Sequence, residues 1–187
     1  MNFESAPLPL PEVLLVRHER AQDARGFFSE TYKEKDFLAM GLPRFVQDNG
    51  SRSAQGVLRG LHYQLNPAAQ GKLVRCVRGK VFDAVVDMRR DSPRYGKWAA
   101  MELSEDKPEM IYVPPGFAHG FLALTHGAEV LYKTTAYYSL EHERTLLWSD
   151  PAVGIAWPIK NPSVSDKDAR APGLKDAETN FEFAYPL

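Results

Sequence analysis

The run VLRGLHYQL, residues 57–65, carries Arg59 and His62 three positions apart in what otherwise reads as a strand. A strand that only fills a core has no use for either side chain. His62 is therefore a candidate base. Lys72, His119 and Tyr132 interrupt other strand-like runs in the same way. Each has a plain structural alternative. His62 could be a core histidine satisfied by a backbone carbonyl, Arg59 and Lys72 solvated edge charges, Tyr132 an amphipathic core residue, and His119 the end of a loop.

A histidine base works best when a carboxylate holds its other ring nitrogen, fixing the tautomer and stabilising the imidazolium. The tail segment SVSDKDARAP offers Asp168. The same segment also reads as a helix start, with Ser165 as N-cap and Asp168 three residues on, an approximate capping box. The two uses compete for the same oxygens. A metal centre is the other chemistry to weigh. The histidines are His18, His62, His119, His126 and His142, and no H-x-H pair exists among them. A site of two histidines and a carboxylate would have to be assembled from distant strands.

These residues need a scaffold, and the chain supplies mostly short strands. Residues 12–16, 26–33, 44–49, 57–64, 72–77, 80–88, 97–104, 110–114, 119–125, 129–138 and 145–148 are rich in β-branched and aromatic side chains. Turn signals such as Arg78-Gly79, Pro114-Pro115-Gly116 and Asp150-Pro151 separate them. Only residues 34–41 and the tail near SDKDA look helical. This pattern predicts a single all-β domain over residues 1–187, an antiparallel sandwich or barrel. Alternation places Phe82, Ala84, Val86 and Met88 on one apolar face, with Asp83 and Asp87 opposite beside Val81 and Val85. That second, mixed face suits a wall lining a pocket or a partner subunit. Val130, Tyr132 and Thr134 share a face opposite Leu131 and Lys133. Strict alternation sends Arg59 and His62 to opposite faces, but Gly60 between them marks a bulge that would turn one of them. Alternation alone leaves both arrangements open.

Bulk composition narrows the function. The chain has 187 residues, 44% hydrophobic and 25% charged, with a net charge of −1. That balance argues against binding a nucleic-acid polymer while leaving room for a small anionic ligand. The single Cys76 excludes a disulfide framework and reads as a small core residue. The N-terminus has no basic stretch, and prolines break its apolar runs, so it reads as neither signal peptide nor membrane span. A cytoplasmic location is the expectation.

The runs RGFFSETY, FVQDN, VLRGLHYQ, QGKLVRCVRGKVFDAVVDMR, VPPGFAHGF, LYKTTAYY and SDPAVGIAWP, between about Arg25 and Pro172, resemble the dTDP-4-dehydrorhamnose 3,5-epimerases. The resemblance implies a cupin-type jelly roll with short peripheral helices, usually a homodimer that exchanges N-terminal strands, and catalysis without a metal or other cofactor. It implies the substrate dTDP-4-dehydro-6-deoxy-D-glucose and the product dTDP-4-dehydro-L-rhamnose, an intermediate of dTDP-L-rhamnose and polysaccharide biosynthesis. By position it implies His62 as base, Asp168 as its carboxylate partner, Tyr132 as proton donor and Lys72 as the cation near the C4 oxygen. It further implies substrate contacts from Arg25, Glu30, Gln47, Asp48, Asn49, Arg59, His119, Glu143 and Lys167. Arg59 suits the diphosphate because its planar fork pairs two oxygens, and Tyr138 would stack on the thymine. Arg25 and Glu30 could serve the neighbouring subunit's pocket. Related enzymes that epimerise one carbon of another dTDP-4-keto-6-deoxy sugar share the dyad and the tyrosine. A non-catalytic or metal-dependent cupin is the reading from another class.

Overall fold

The computed structural model describes residues 1–183. The first half of the chain runs β1 (Phe3–Pro7), β2 (Leu14–His18), β3 (Ala21–Asp23), β4 (Gly26–Phe28), α1 (Glu34–Ala39), β5 (Gln47–Ser53), β6 (Leu58–Gln64) and β7 (Lys72–Arg78). The second half runs β8 (Lys80–Asp87), β9 (Trp98–Ser104), β10 (Glu109–Val113), β11 (Phe117–Ala123), β12 (Ala128–Thr134), β13 (Glu143–Thr145) and α2 (Asp166–Ala169). A six-stranded sheet, ordered β1-β2-β10-β7-β12-β5, faces a five-stranded sheet, ordered β13-β6-β11-β8-β9, and β3 pairs with β4 apart from both. The strand pairs are antiparallel, as expected for a jelly-roll sandwich.

Apolar side chains fill three layers. Val74, Cys76, Val81, Val85, Ile111, Phe117, Phe121 and Val130 pack between the sheets. Val16, Phe37, Leu42, Leu73 and Tyr112 cover the outer face of the six-stranded sheet beneath α1. Leu61, Tyr63, Val86, Met88, Ala118 and Leu146 cover the outer face of the five-stranded sheet beneath the C-terminal segment around Ala177 and Phe181. β8 is thus buried on both faces, and Asp83 and Asp87 are fully buried. The mixed face of the alternation pattern is the barrel interior, with Val81, Asp83 and Val85.

Several boundaries differ from the sequence reading. β1 and β3 lack a strand pattern in sequence. β1 ends on Pro7 at a sheet edge, where a missing N–H costs nothing. The strand expected over 26–33 ends at Phe28, and the one expected over 44–49 begins at Gln47 and continues to Ser53. The strand expected through Tyr138 stops at Thr134, where the Thr135 N–H turns to Gly71 O at 3.0 Å and the Thr134 hydroxyl donates to Ala136 O at 2.8 Å.

The bulge in β6 decides the alternation conflict. His119 pairs with His62 and Phe121 with Arg59, so three residues of β6 match two of β11. The extra residue turns Arg59 and His62 to the same face. Glycine is required there: Gly60 has φ +126°, and a Cβ on it would lie 2.6 Å from Gly120 Cα. Gly60→Ala should cost roughly 3 kcal/mol, from backbone strain and overpacking together. Gly56→Ala, with φ +81° but open space around it, should cost only about 1 kcal/mol. Denaturant midpoints of the two variants check this; equal midpoints would remove the close approach as a constraint.

Candidate active site

The site begins where the tail returns to β6. Leu58 N–H donates to Ser163 O at 2.9 Å and Ser163 N–H to Gly56 O at 2.8 Å, which pins the tail beside the start of β6. Two residues later Ser165 caps α2, its hydroxyl accepting the Asp168 N–H at 3.1 Å. The cap takes the backbone N–H of Asp168 and leaves Oδ1 to His62, so capping and histidine-holding do not compete as the sequence suggested. Asp168 Oδ1 lies 2.7 Å from His62 Nε2, and Asp168 Oδ2 accepts the Gly60 N–H at 3.2 Å. Burial pushes the Asp168 pKa upward, but the bonds from His62, Gly60 and Ser165 outweigh it and hold the carboxyl below its ordinary value. With Nε2 so engaged, Nδ1 is the ring nitrogen left for proton transfer.

Facing this pair across the barrel is the six-stranded sheet. Tyr132 of β12 stands opposite Val74 of β7, and Lys72 precedes Val74 by two, so Tyr132 and Lys72 both face the interior. Lys72 Nζ donates to His62 O at 3.0 Å. Burial lowers the Lys72 pKa from 10.5 to about 8, against the upward pull of Asp83 and Glu143. Burial raises the Tyr132 pKa, so its phenol keeps its proton at neutral pH. A cavity of ≈530 Å³, the size of a small-molecule site, lies between these groups and is also lined by Arg59, His119 and Lys167.

Arg59 is aimed by its neighbours: Nε donates to Ser53 Oγ at 3.0 Å and one terminal nitrogen to Arg52 O at 3.3 Å. His119 Nε2 lies 3.0 and 2.9 Å from the two oxygens of buried Asp83. An adjoining recess shares His62, Lys72 and Tyr132 with the main cavity and adds Gln47, Asn49, Tyr138 and Glu143. At its mouth Lys167 Nζ pairs with Glu143 Oε1 at 2.7 Å, and the Tyr138 hydroxyl donates to Glu143 Oε2 at 3.1 Å. Burial pushes the Glu143 pKa up, but Lys167, Tyr138 and His62 together leave it lowered.

Three expected site residues lie outside these cavities within one chain. Asp48 points to the outer face of its sheet, paired with Lys133 at 2.8 Å. Arg25 sits on the β3–β4 hairpin against Asp23, and Glu30 pairs with Lys33. Two polar residues had no role assigned from sequence. Asp83 orients His119; its signal was a carboxylate in an otherwise apolar strand. Ser51 lines the main cavity with a buried hydroxyl that has no hydrogen-bond partner among the described residues. Its signal is the alternation of β5, which puts Gln47, Asn49, Ser51 and Ser53 on one face. Among the described residues no three His, Cys, Asp or Glu side chains converge to hold a metal ion, and no helix is long and apolar enough to cross a membrane.

The sequence profile of the dTDP-4-dehydrorhamnose 3,5-epimerase family matches residues 7–176. A dTDP-4-dehydrorhamnose 3,5-epimerase of Shigella flexneri is 50% identical over 171 residues, covering 90% of this chain and 94% of that protein. The crystal structure of a dTDP-6-deoxy-D-glucose-3,5-epimerase from Legionella pneumophila in complex with dTDP-4-keto-L-rhamnose is 41% identical, with a TM-score of 0.89, covering 93% of this chain and 94% of that one. A 3'-monoepimerase of Streptomyces bikiniensis in complex with dTDP-quinovose is 34% identical, with a TM-score of 0.85, covering 91% of this chain and 87% of that one. The resemblance to RmlC-type structures extends to the cupin-like barrel.

The buried lysine makes a signed prediction. Below about pH 8 Lys72 is protonated in both folded and unfolded chains; between about pH 8 and 10.5 only the unfolded chain keeps the proton. Its contribution to stability is therefore full above about pH 10.5 and is lost as pH falls through about 8. Denaturant midpoints measured from pH 7 to 10 should rise less in Lys72→Met than in the unmodified protein. Parallel curves would mean that Lys72 is not desolvated.

Proposed function

Since the chain belongs to the dTDP-4-dehydrorhamnose 3,5-epimerase family, we infer that it converts dTDP-4-dehydro-6-deoxy-D-glucose into dTDP-4-dehydro-L-rhamnose, a step of rhamnose biosynthesis. The C4 carbonyl acidifies the hydrogens at C3 and C5, so each centre inverts through an enolate reprotonated on its other face. The chemistry needs a base, an acid across the ring from it, and a positive group at the developing oxyanion. His62, held by Asp168, is the base. Tyr132 is the acid. Lys72 is the cation at the C4 oxygen, and Arg59 takes the diphosphate while Tyr138 stacks on the thymine.

One observation carries this assignment: His62, held by Asp168 of α2, and Tyr132 stand on opposing sheets of one cavity. A ring bound between the sheets would meet base and acid on opposite faces, as inversion demands. The raised Tyr132 pKa keeps the acid protonated. The ionised state of Lys72 at neutral pH supplies the charge, and loss of such a donor costs on the order of 10² to 10³ in rate.

The enzyme acts as a homodimer in which Arg25 and Glu30 of a second copy complete the nucleotide end of the pocket. Support comes from their position: both lie off the cavity and recess that hold His62, Lys72 and Tyr132, on a segment with Phe27 and Phe28 58% and 67% exposed. In this arrangement inactive Arg25→Ala and His62→Ala proteins, mixed under conditions of subunit exchange, regain activity, because each mixed dimer holds one intact site. No recovery would place Arg25 outside the partner's pocket.

The assay that tests the chemistry is NMR in deuterated water with dTDP-4-dehydro-6-deoxyglucose, trapping the product with a reductase. Deuterium should enter C3 and C5, and the product should have the L-rhamno configuration. Exchange at one carbon would make the protein a monoepimerase. Exchange at neither, with dTDP still bound, would end the catalytic reading. Asp168→Asn should lower kcat about 10³- to 10⁴-fold through loss of the productive histidine tautomer, and near-normal turnover in that variant would remove the dyad.

A further inference from the structure

Tyr138 and its neighbour Tyr137 are 54% and 70% exposed. Packing therefore does little to aim the ring of Tyr138, although a stacking platform needs a fixed orientation before its ligand arrives. Its hydroxyl is tethered to Glu143 Oε2 at 3.1 Å, and the rest of the aim comes from the backbone that places Cα and Cβ. A residue has two soft dihedrals, φ and ψ, and both are set once the peptide planes on either side of its Cα are fixed.

Both planes around Tyr138 are fixed by side-chain amides. The plane joining residues 137 and 138 presents Tyr137 O and Tyr138 N–H. Gln64 Nε2 donates to Tyr137 O at 3.2 Å, and Gln47 Oε1 accepts the Tyr138 N–H at 3.1 Å. The plane joining residues 138 and 139 presents the Ser139 N–H, which donates to Gln64 Oε1 at 2.8 Å. Gln64 thus grips both planes with the two ends of one amide. The amide is itself immobile: Gln64 is 4% exposed, and Nε2 also donates to Ala68 O at 2.6 Å. It stands on β6 two residues beyond His62, on the same face of the same strand. The residue that would set the nucleobase platform is therefore tied to the strand that carries the base.

We propose that Gln64 is a positioning residue for nucleotide recognition, its buried amide presetting the ring of Tyr138 for stacking and fixing the distance from nucleobase to reacting sugar through β6. This rests on the assignment of Tyr138 to the thymine made above. Loss of the amide should weaken binding and leave the chemical step alone, since His62, Asp168, Tyr132 and Lys72 make none of their bonds through it. Gln70, whose Nε2 donates to Ala136 O at 2.7 Å, holds the start of the same turn but touches neither plane of Tyr138.

The test uses Gln64→Glu, which keeps the volume but replaces the Nε2 donor, and Gln64→Leu, which removes both bonds. KM for the sugar nucleotide and Kd for dTDP should rise about fivefold to tenfold, as part of the roughly tenfold to hundredfold loss expected for Tyr138→Ala from base–aromatic stacking. The kcat should stay within about threefold. In the dTDP complex the thymine methyl resonance should lose most of its upfield ring-current shift. In the Tyr138→Ala background Gln64→Glu should add nothing, because the two act on one interaction. A kcat that falls with unchanged KM, or a ring-current shift retained in both variants, would overturn the proposal. So would additive losses in the double variant. If Tyr138→Ala itself binds dTDP normally, the stacking assignment fails; if it binds weakly while the Gln64 variants bind normally, only the positioning role fails.

Discussion

One extra residue in β6 governs the arrangement of this site. Because β6 spends three positions against two of β11, Arg59 and His62 share a face that simple alternation would deny them. A bulged residue also leaves a backbone group outside the ladder. Here that group is the Gly60 N–H, and it turns to Asp168 Oδ2. The irregularity thus brings Arg59 and His62 together and supplies a donor that helps hold the carboxylate beside His62. It requires near-contact between two backbones, which only Gly60 facing Gly120 permits.

The two sheets divide the work. The five-stranded sheet contributes His62, and His119 braced by Asp83; the six-stranded sheet contributes Lys72, Tyr132 and the polar edge of β5. Burial between them alters ionisation in the directions the proposed chemistry needs. Tyr132 is pushed toward keeping its proton, while Lys72 is lowered only to about 8 because Asp83 and Glu143 partly offset desolvation. A lysine buried without those carboxylates would lose its charge at a lower pH and with it any role as an oxyanion partner. Asp83 thus serves Lys72 electrostatically while it holds His119 by hydrogen bonds.

How far the sequence discloses this depends on the range of each interaction. Strand-rich patterning and the inward face of Val130, Tyr132 and Thr134 are local and legible. Gly60 flagged a bulge, but the direction in which it turned Arg59 depended on the register with β11, which no local pattern encodes. The His62–Asp168 bond spans 106 positions and was reached through family resemblance; the local signal at Asp168 was a helix cap. Both signals hold, since cap and dyad use different atoms. Asp48 shows the opposite limit. It sits between Gln47 and Asn49 in one motif, and the same period of two that turns its neighbours inward turns it out. Gln64 gave no signal at all, because a glutamine in a strand is ordinary until the turn it grips is in view.

The site also separates rigid pairs from yielding ones. His62–Asp168 and His119–Asp83 each have a carboxylate 4% exposed or less, so opening either would strand a buried charge, a loss of several kcal/mol. The Lys167–Glu143 pair at the mouth has side chains 49% and 21% exposed, and water screens such a pair to about 1 kcal/mol or less. A ligand phosphate or sugar hydroxyl can therefore displace it at small cost, meeting side chains already held near their working positions. On the proposed assignment the base belongs to a pair that stays closed, while the Lys167–Glu143 pair at the rim can open. With the roles proposed above, that division would let one barrel keep a fixed base and acid while its rim adapts to the nucleotide entering it.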